Sequence, residues 1–214
     1  TSIVMSGQLK HKSIDQMTLK RVLNGFLYVS QNKVVLGAVS IDLVAVLLGG
    51  VMGLLPIYAS DILGVGPDGL GLMRAMPGIG ALFMGLALAQ IAHPRYVGAT
   101  MFITLALFGA SIVIFSISTV FWISLVALAI YGASDMVSVY IRLTLVQLAT
   151  PDEMRGRVSA VNSISINASN ELGDFRAGLM ASGFGTVPAV LIGGIATFAV
   201  VGVWMKVFPG IVKT

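Results

Sequence analysis

The sequence has 214 residues, of which 57% are hydrophobic and only 10% are charged, and its mean hydropathy is +0.95. Soluble domains carry roughly a quarter charged residues, so a water-soluble fold could not bury this much apolar surface. The net charge of +4 comes from unevenly placed lysines and arginines, which indicate membrane orientation and not a nucleic-acid surface. The lack of cysteine excludes disulfides, thiolate metal sites and cysteine nucleophiles.

Residues 1–33 are polar and basic, and they contain one short amphipathic pattern. Apolar residues recur at the spacing of a single helix face, with Lys20 and Arg21 on the opposite face. The apolar residues are Leu19, Val22, Leu23, Phe26 and Leu27. The pattern predicts either a helix that lies on the membrane surface or an ordinary linker helix, and the sequence leaves both open. We expect this segment to be cytoplasmic and residues 34–214 to form a membrane domain.

Six segments follow, each long enough to cross about 30 Å of hydrocarbon as a helix. They cover residues 34–58, 70–91, 97–118, 121–148, 158–182 and 187–208. The fifth segment is the weakest by hydropathy, because it contains many asparagine, serine and charged residues. Thr150, Pro151 and Glu153 just before it predict a capping box with proline at the first helical position.

The distribution of basic residues favours six crossings over five. With six crossings, ten lysines and arginines that lie beyond the spans or at the end of the last one fall on one side, and Asp61 and Asp68 fall on the other. With five crossings, Lys206 and Lys213 would lie on the opposite side from the other basic residues. Because lysine and arginine concentrate on the cytoplasmic side of membrane proteins, both ends of the 214-residue chain should be cytoplasmic.

Seven ionisable side chains fall inside the predicted spans, where each is costly unless it is paired or hydrated. They are Asp42, Arg74, Asp135, Arg142, Glu171, Asp174 and Arg176. At 1.5 Å per residue, Asp135 and Glu171 lie about 20 Å into their spans, which is near mid-depth. Asp135 and Arg142 are seven residues apart and therefore share a helix face.

The fifth span carries one continuous polar stripe. Asn167, Glu171 and Asp174 are spaced by four and three residues, and Asn170 lies beside them. We expect this stripe to line an aqueous cavity or a polar seam between helices, since it cannot face lipid at low cost.

Four acids and three bases in the spans would leave one acid without a partner. A carboxyl group of this kind keeps its proton in a dry site and can lose it when the site is hydrated, which would couple a proton gradient to transport. Glu171 and Asp135 are the candidates, and the alternative is a fixed ion-pair network joining the fourth and fifth spans. Arg74 could extend to the outer surface, and Asp42 could pair with it or with a further part of the protein.

Residues 150–188 read T-P-D-E-M-R-G-R-V-S-A-V-N-S-I, then A-S-N-E-L-G-D-F-R-A-G-L, and end in G-T-V-P. This stretch resembles helices 10 to 12 of major facilitator permeases, and most closely the bacterial branch that contains the enterobactin exporter and its macrolide-efflux-like relatives. Residues 71–82, G-L-M-R-A-M-P-G-I-G-A-L, and 145–151, L-V-Q-L-A-T-P, carry the same resemblance. It implies an all-α membrane protein whose six transmembrane helices form one half, helices 7 to 12, of a major facilitator fold.

The resemblance also implies a function. The expected protein is a secondary active transporter in the bacterial inner membrane, a proton-coupled exporter of small amphiphilic molecules such as siderophores or drugs, and not an enzyme. Its expected partners are an N-terminal six-helix half encoded upstream, the lipid bilayer, a small-molecule substrate and protons, with no metal, cofactor or nucleic acid. Residues 1–33 would belong to the central cytoplasmic loop of such a transporter.

Four charged residues match a cytoplasmic loop that helps to latch the outward-open state in this superfamily. They are Asp152, Glu153, Arg155 and Arg157. The polar stripe of the fifth span would line or flank the central cavity. Residues 92–98, A-H-P-R-Y-V-G, depart from the G-x-x-x-D-R-x-G-R pattern that many members carry at the corresponding place, so only Arg95 remains to act there.

Other membrane classes fit less well. An intramembrane serine protease needs a G-x-S-G serine and a histidine at membrane depth, but residues 132–135 read G-A-S-D, and His11 and His93 lie outside the spans. An ATP-driven exporter needs a G-x-x-x-x-G-K loop, which this sequence lacks. A non-transporting scaffold or pore subunit stays an alternative, although seven charges at membrane depth are costly for a scaffold.

Overall fold

The computed structural model describes residues 26–90 and 97–207, and within these ranges the chain is helical with no strand. Six long helices follow one another: α1 Lys33–Gly49, α2 Pro67–Gln90, α3 Val97–Ile117, α4 Phe121–Ala149, α5 Asp152–Phe184 and α6 Thr186–Val207. The predicted all-α membrane fold is confirmed, and most helix ends lie within a few residues of their predicted places. The amphipathic pattern before Phe26 lies outside the described residues, and residues 26–31 are helical.

Five helical segments are apolar and long enough to cross a membrane, and α5 is not among them. It is nevertheless one continuous helix of 33 residues, about 50 Å long at 1.5 Å per residue. It packs against α1 and α6, both of which are candidate spans. The predicted capping box is wrong, because α5 begins at Asp152 without a side-chain cap and the Thr150 hydroxyl is buried with no hydrogen-bond partner among the described residues.

Helices α1 and α4 occupy the centre of the bundle. Helix α4 packs against α2, α3 and α1, while α1 packs against α5 and α6, and α3 joins α6. We call the end of the bundle where α1 begins the near end, and the opposite end the far end. Large apolar side chains such as Phe83 (68% exposed) and Trp122 (71% exposed) lie on the outer surfaces of α2 and α4, as lipid contact requires.

Each end of the bundle has its own apolar cluster. At the near end, Val29, Val35, Val146 and Val158 pack together and join the helical residues 26–31 to α1, α4 and α5. At that end the Tyr28 hydroxyl also donates a hydrogen bond of 2.5 Å to the carbonyl of Ala149, the last residue of α4.

At the far end, a cluster of aromatic and aliphatic residues joins residues 51–59 to the helices α2, α3, α4, α5 and α6. Tyr58 is fully buried there, and its hydroxyl donates to the carbonyl oxygen of Ser116 at 3.1 Å. Its ring lies 4.5 Å from the ring of Phe115, measured between centroids.

The first predicted span is interrupted. Helix α1 ends at Gly49, and residues 50 and 51 are not helical. Short pieces of 3-10, α and π helix then follow one another over Met52–Ile62, which we call the far segment. A Cβ atom at Gly50 would lie 2.9 Å from the carbonyl carbon of Gly173 in α5. Glycine is therefore needed at this place, because the two backbones pass too close to each other for a side chain.

Helices α2 and α4 also meet at backbone distance. A Cβ atom at Gly80 would collide with the carbonyl oxygen of Ala129, and one at Gly132 would collide with that of Pro77. Two such contacts along one pair of helices hold α2 and α4 together over several turns.

Replacing Gly132 by alanine should destabilise the protein by about 1–3 kcal/mol, because the added methyl group must push two helix backbones apart. Gly178→Ala is the matched control, since a methyl group added there on α5 would have nothing within 4 Å of it. Thermal unfolding in detergent should show a lower midpoint for Gly132→Ala and an equal or higher one for the control. Equal midpoints for Gly132→Ala and the wild type would contradict the close helix contact.

Candidate functional site

One face of α4 carries a row of polar side chains through the middle of the bundle. Tyr131, Asp135, Ser138 and Arg142 are spaced by four, three and four residues, so they lie along one side of the helix. We call this row the polar face of α4. The sequence analysis identified Asp135 and Arg142 but missed Ser138 and Tyr131, although the same helical spacing marks them.

The polar face of α4 meets Asp42 of α1. Arg142 forms an ion pair with Asp42 through Nη1 and Oδ2, and the Ser138 hydroxyl donates to the other carboxylate oxygen at 2.7 Å. Arg142 is 0% exposed and Asp42 is 2% exposed. The suggested pairing of Asp42 with Arg74 is wrong, because Arg74 lies exposed on α2.

The sequence also suggested an ion-pair network between the fourth and fifth spans. The structure instead has a buried ion pair between the first and fourth spans. The two partners lie at similar depth, about 13 Å and about 10 Å from the near ends of their helices at 1.5 Å per residue. A buried pair needs hydrogen bonds to the remaining polar atoms to offset desolvation, and Ser138 supplies one for the carboxylate.

The guanidinium of Arg142 is only partly satisfied. Its Nε and Nη2 atoms are buried and have no hydrogen-bond partner within the part of the chain that the structure describes. Asp135 is half-buried on the same face of α4, near enough for the charges of Asp42 and Arg142 to act on it. Because buried donors are costly without a partner, this edge of Arg142 favours the approach of water or a carboxylate.

The polar stripe predicted on the fifth span lies on the surface of α5. Asn167, Asn170 and Glu171 are exposed, whereas Asp174 is half-buried and packs against Gly53 of the far segment. The neighbouring side of α5 exposes apolar residues, namely Leu172, Phe175 and Leu179. The exposed surface of α5 is therefore divided into an apolar side suited to lipid and a polar side that needs water or protein.

Tyr131 begins the polar face of α4 on the side nearer the far end of the bundle. Its ring stacks on Phe108 of α3 with centroids 4.5 Å apart. Tyr131 and Asp174 lie at matching depth, each about 15 Å from the far end of its helix at 1.5 Å per residue.

Arg176 does not join the polar stripe of α5. Its Nε donates to the carbonyl oxygen of Leu47 at 3.0 Å, and its Nη2 donates to that of Leu48 at 2.5 Å. Its remaining nitrogen, Nη1, lies 3.0 Å from the sulfur of Met180. Arg176 therefore bonds to the end of α1, a role that the sequence analysis did not consider.

These assignments change the charge balance inside the membrane region. Among the described residues, the single ion pair between membrane helices is that of Asp42 and Arg142. Asp135, Glu171 and Asp174 form no ion pair within that part of the chain. The sequence count left one unpaired acid, whereas the structure leaves three, because Arg74 is exposed and Arg176 bonds to backbone.

The four charged residues expected to act as a cytoplasmic latch lie on the first turns of α5. Arg155 pairs with Asp152 at 2.8 Å, and Arg157 contacts the sulfur of Met154 at 3.3 Å. Glu153 is exposed and forms no ion pair in the described ranges. Exposed ion pairs of this kind contribute little stability, about 0–1 kcal/mol.

Arg95 lies outside the described residues, so its role in the loop between α2 and α3 stays a prediction. Within the described residues, no three histidine, aspartate or glutamate side chains are grouped as a metal site.

A bundle of long apolar helices indicates a multi-pass membrane protein, and carboxylates and a buried ion pair at membrane depth are typical of transport proteins. A family model for the major facilitator proteins described as transmembrane secretion effectors matches residues 11–209. The chain belongs to this family of transporters. No curated protein and no solved structure matched the sequence.

Replacing Asp42 by asparagine should cost about 3 kcal/mol or more, because the buried charge of Arg142 loses its partner. The double variant Asp42→Asn with Arg142→Met removes both charges and should recover most of that loss. Asp152→Asn breaks the exposed pair on α5 and serves as the control. Unfolding in detergent measures all three, and an Asp42→Asn variant as stable as the control would contradict the buried pair.

Proposed function

We propose that the chain is the C-terminal six-helix half of a proton-coupled exporter of small amphiphilic molecules. The observation that carries this proposal is the set of carboxyl groups at membrane depth, Asp135, Glu171 and Asp174, that form no ion pair among the described residues. The family match supports a transporter in general. The assignment of a half, the coupling to protons and the direction of transport rest on the resemblance and on this charge balance.

In the proposed mechanism, Asp135 carries the proton. It is half-buried on the polar face of α4, beside the ion pair that joins α4 to α1. A carboxyl group in a dry site keeps its proton, and it releases the proton when water reaches the site. Movement of α4 relative to α1 would change the hydration of Asp135, and this would link proton release to alternating access.

Glu171 suits a different role. It lies exposed on the polar side of α5 together with Asn167 and Asn170, which offer both donors and acceptors. In a transporter of two six-helix halves, the central site lies near mid-depth between them, so this side of α5 would face the substrate. We therefore assign Glu171 to substrate binding and Asp135 to proton coupling.

The remaining parts of the proposal follow from the resemblance. The second half of the transporter would pack on the exposed polar surface, residues 1–33 would lie in the central cytoplasmic loop, and the near end of the bundle would face the cytoplasm of a bacterial inner membrane. Substrates would be siderophores or amphiphilic drugs, as in the branch that includes the enterobactin exporter and macrolide-efflux-like proteins.

Transport by the complete protein in proteoliposomes, with an imposed proton gradient, tests the two assignments. Asp135→Asn should reduce gradient-driven transport to the level seen without a gradient, while exchange of substrate across the membrane continues. Glu171→Gln should raise KM about tenfold through the loss of one charge-assisted contact. A catecholate siderophore and a macrolide are the two probes.

Asp68→Asn is the matched control for these variants, because Asp68 is exposed at the start of α2. It should transport as the wild type does. Gradient-driven transport that persists in Asp135→Asn would reject the proton site, and failure of the wild type to move either probe would favour the alternative of a scaffold or pore subunit.

The orientation can be tested by single-cysteine labelling, because this chain contains no cysteine. Ser30 and Ser60 are both exposed and lie at the near and far ends of the bundle. In intact cells, a membrane-impermeant maleimide should label Ser60→Cys, and it should label Ser30→Cys only after permeabilisation. The reverse pattern would overturn the proposed orientation.

A further inference from the structure

The break in α1 exposes a helix end in the middle of the predicted span. Carbonyl groups in the last turn of a helix have no donor four residues ahead, and hydrocarbon offers none. Two of these carbonyls, those of Leu47 and Leu48, accept hydrogen bonds from Arg176. One planar guanidinium therefore satisfies two of the backbone groups that the break leaves open.

Glycines of two other helices surround the same carbonyls. A Cβ atom at Gly173 of α5 would lie 3.2 Å from the Leu47 oxygen, and one at Gly193 of α6 would collide with the Leu48 oxygen. The same Cβ atom placed on Gly193 would lie 3.2 Å from Nη2 of Arg176. The small residues leave a compact space at the end of α1, and the guanidinium occupies it.

The electrostatics of this place favour a positive charge. A helix carries a partial negative charge at its C-terminal end, and the half-helix ends of interrupted transmembrane helices are places where transporters hold cations. Arg176 forms no ion pair with an acid in the described part of the chain. Its charge is balanced by the carbonyl end of α1 instead.

We propose that the carbonyl end of α1 is a cation site which Arg176 fills from α5, and that this tethered cation sets the position of the far segment. The far segment begins directly after the break, packs on Asp174 through Gly53 and bonds to α3 through Tyr58. Without the cation, the unsatisfied carbonyls at the end of α1 would repel one another and α1 would lose its bonds to α5. Helix α1 could then shift against α5, and the far segment would shift with it. This inference does not depend on the substrate or on proton coupling.

The test measures distances between spin labels at Ser60→Cys on the far segment and Ser182→Cys at the far end of α5, in the complete protein freed of other cysteines. Both serines are exposed. In Arg176→Ala the distance distribution should shift and widen. Guanidinium chloride at millimolar concentration, far below denaturing levels, should return it towards that of the wild type, since the free cation fits the vacated site.

Urea is the matched control, because it has the shape of guanidinium without its charge, and it should leave the distribution of Arg176→Ala unchanged. Equal rescue by urea would overturn the proposal, as would a distribution in Arg176→Ala that coincides with the wild type. Guanidinium should have no effect on the wild type, where the site is filled.

A second pair of variants covers the case in which Arg176→Ala does not fold. Arg176→Lys keeps the charge but cannot bond both carbonyls with one planar group, whereas Arg176→Met keeps the length without charge. The lysine variant should keep the wild-type distance with a wider spread, and the methionine variant should shift. If the two variants give the same distribution, charge at this helix end has no role and the proposal is wrong.

Discussion

Polar and charged groups inside a bilayer have no water to bond with, and each one must find its partner within the protein. In this chain the requirement applies to the guanidinium groups of Arg142 and Arg176, which have different partners, and Arg142 satisfies it only in part. Arg142 bonds to a carboxylate on another helix, whereas Arg176 bonds to the backbone of an interrupted one. The ion pair holds α1 to α4, and the hydrogen bonds of Arg176 hold α1 to α5. Helix α1 is therefore the element whose position the buried charges determine.

The positions of the spans could be predicted because their signals are local. Apolar length marks five of the helices, and the placement of lysines and arginines supports the sixth, which hydropathy alone does not find. Helix α5 forms in spite of its polar content because its buried residues, among them Val158, Val161 and Ala177, follow one side of the helix. The regular spacing of these buried residues thus gives α5 a packing face, although its mean hydropathy is low.

The pairing of charges could not be predicted in the same way. Which acid meets Arg142 depends on how α1 and α4 are rotated against each other, and a single sequence does not state that rotation. Arg176 was included in a count of opposite charges, but its partners are carbonyl groups, which such a count does not contain. The interruption of α1 was also missed, because residues 34–58 form one long apolar run and the glycines within that run do not by themselves mark a break.

The hydrogen bond from Tyr28 to the last carbonyl of α4 has a mechanical consequence. It ties the stretch of chain that enters the membrane domain to the end of the helix that bears the buried arginine, and the valine cluster around it adds a second attachment. The incoming chain therefore contacts the end of α4 directly as well as continuing into α1. Displacement of α4 along its axis would act on the incoming chain through these contacts.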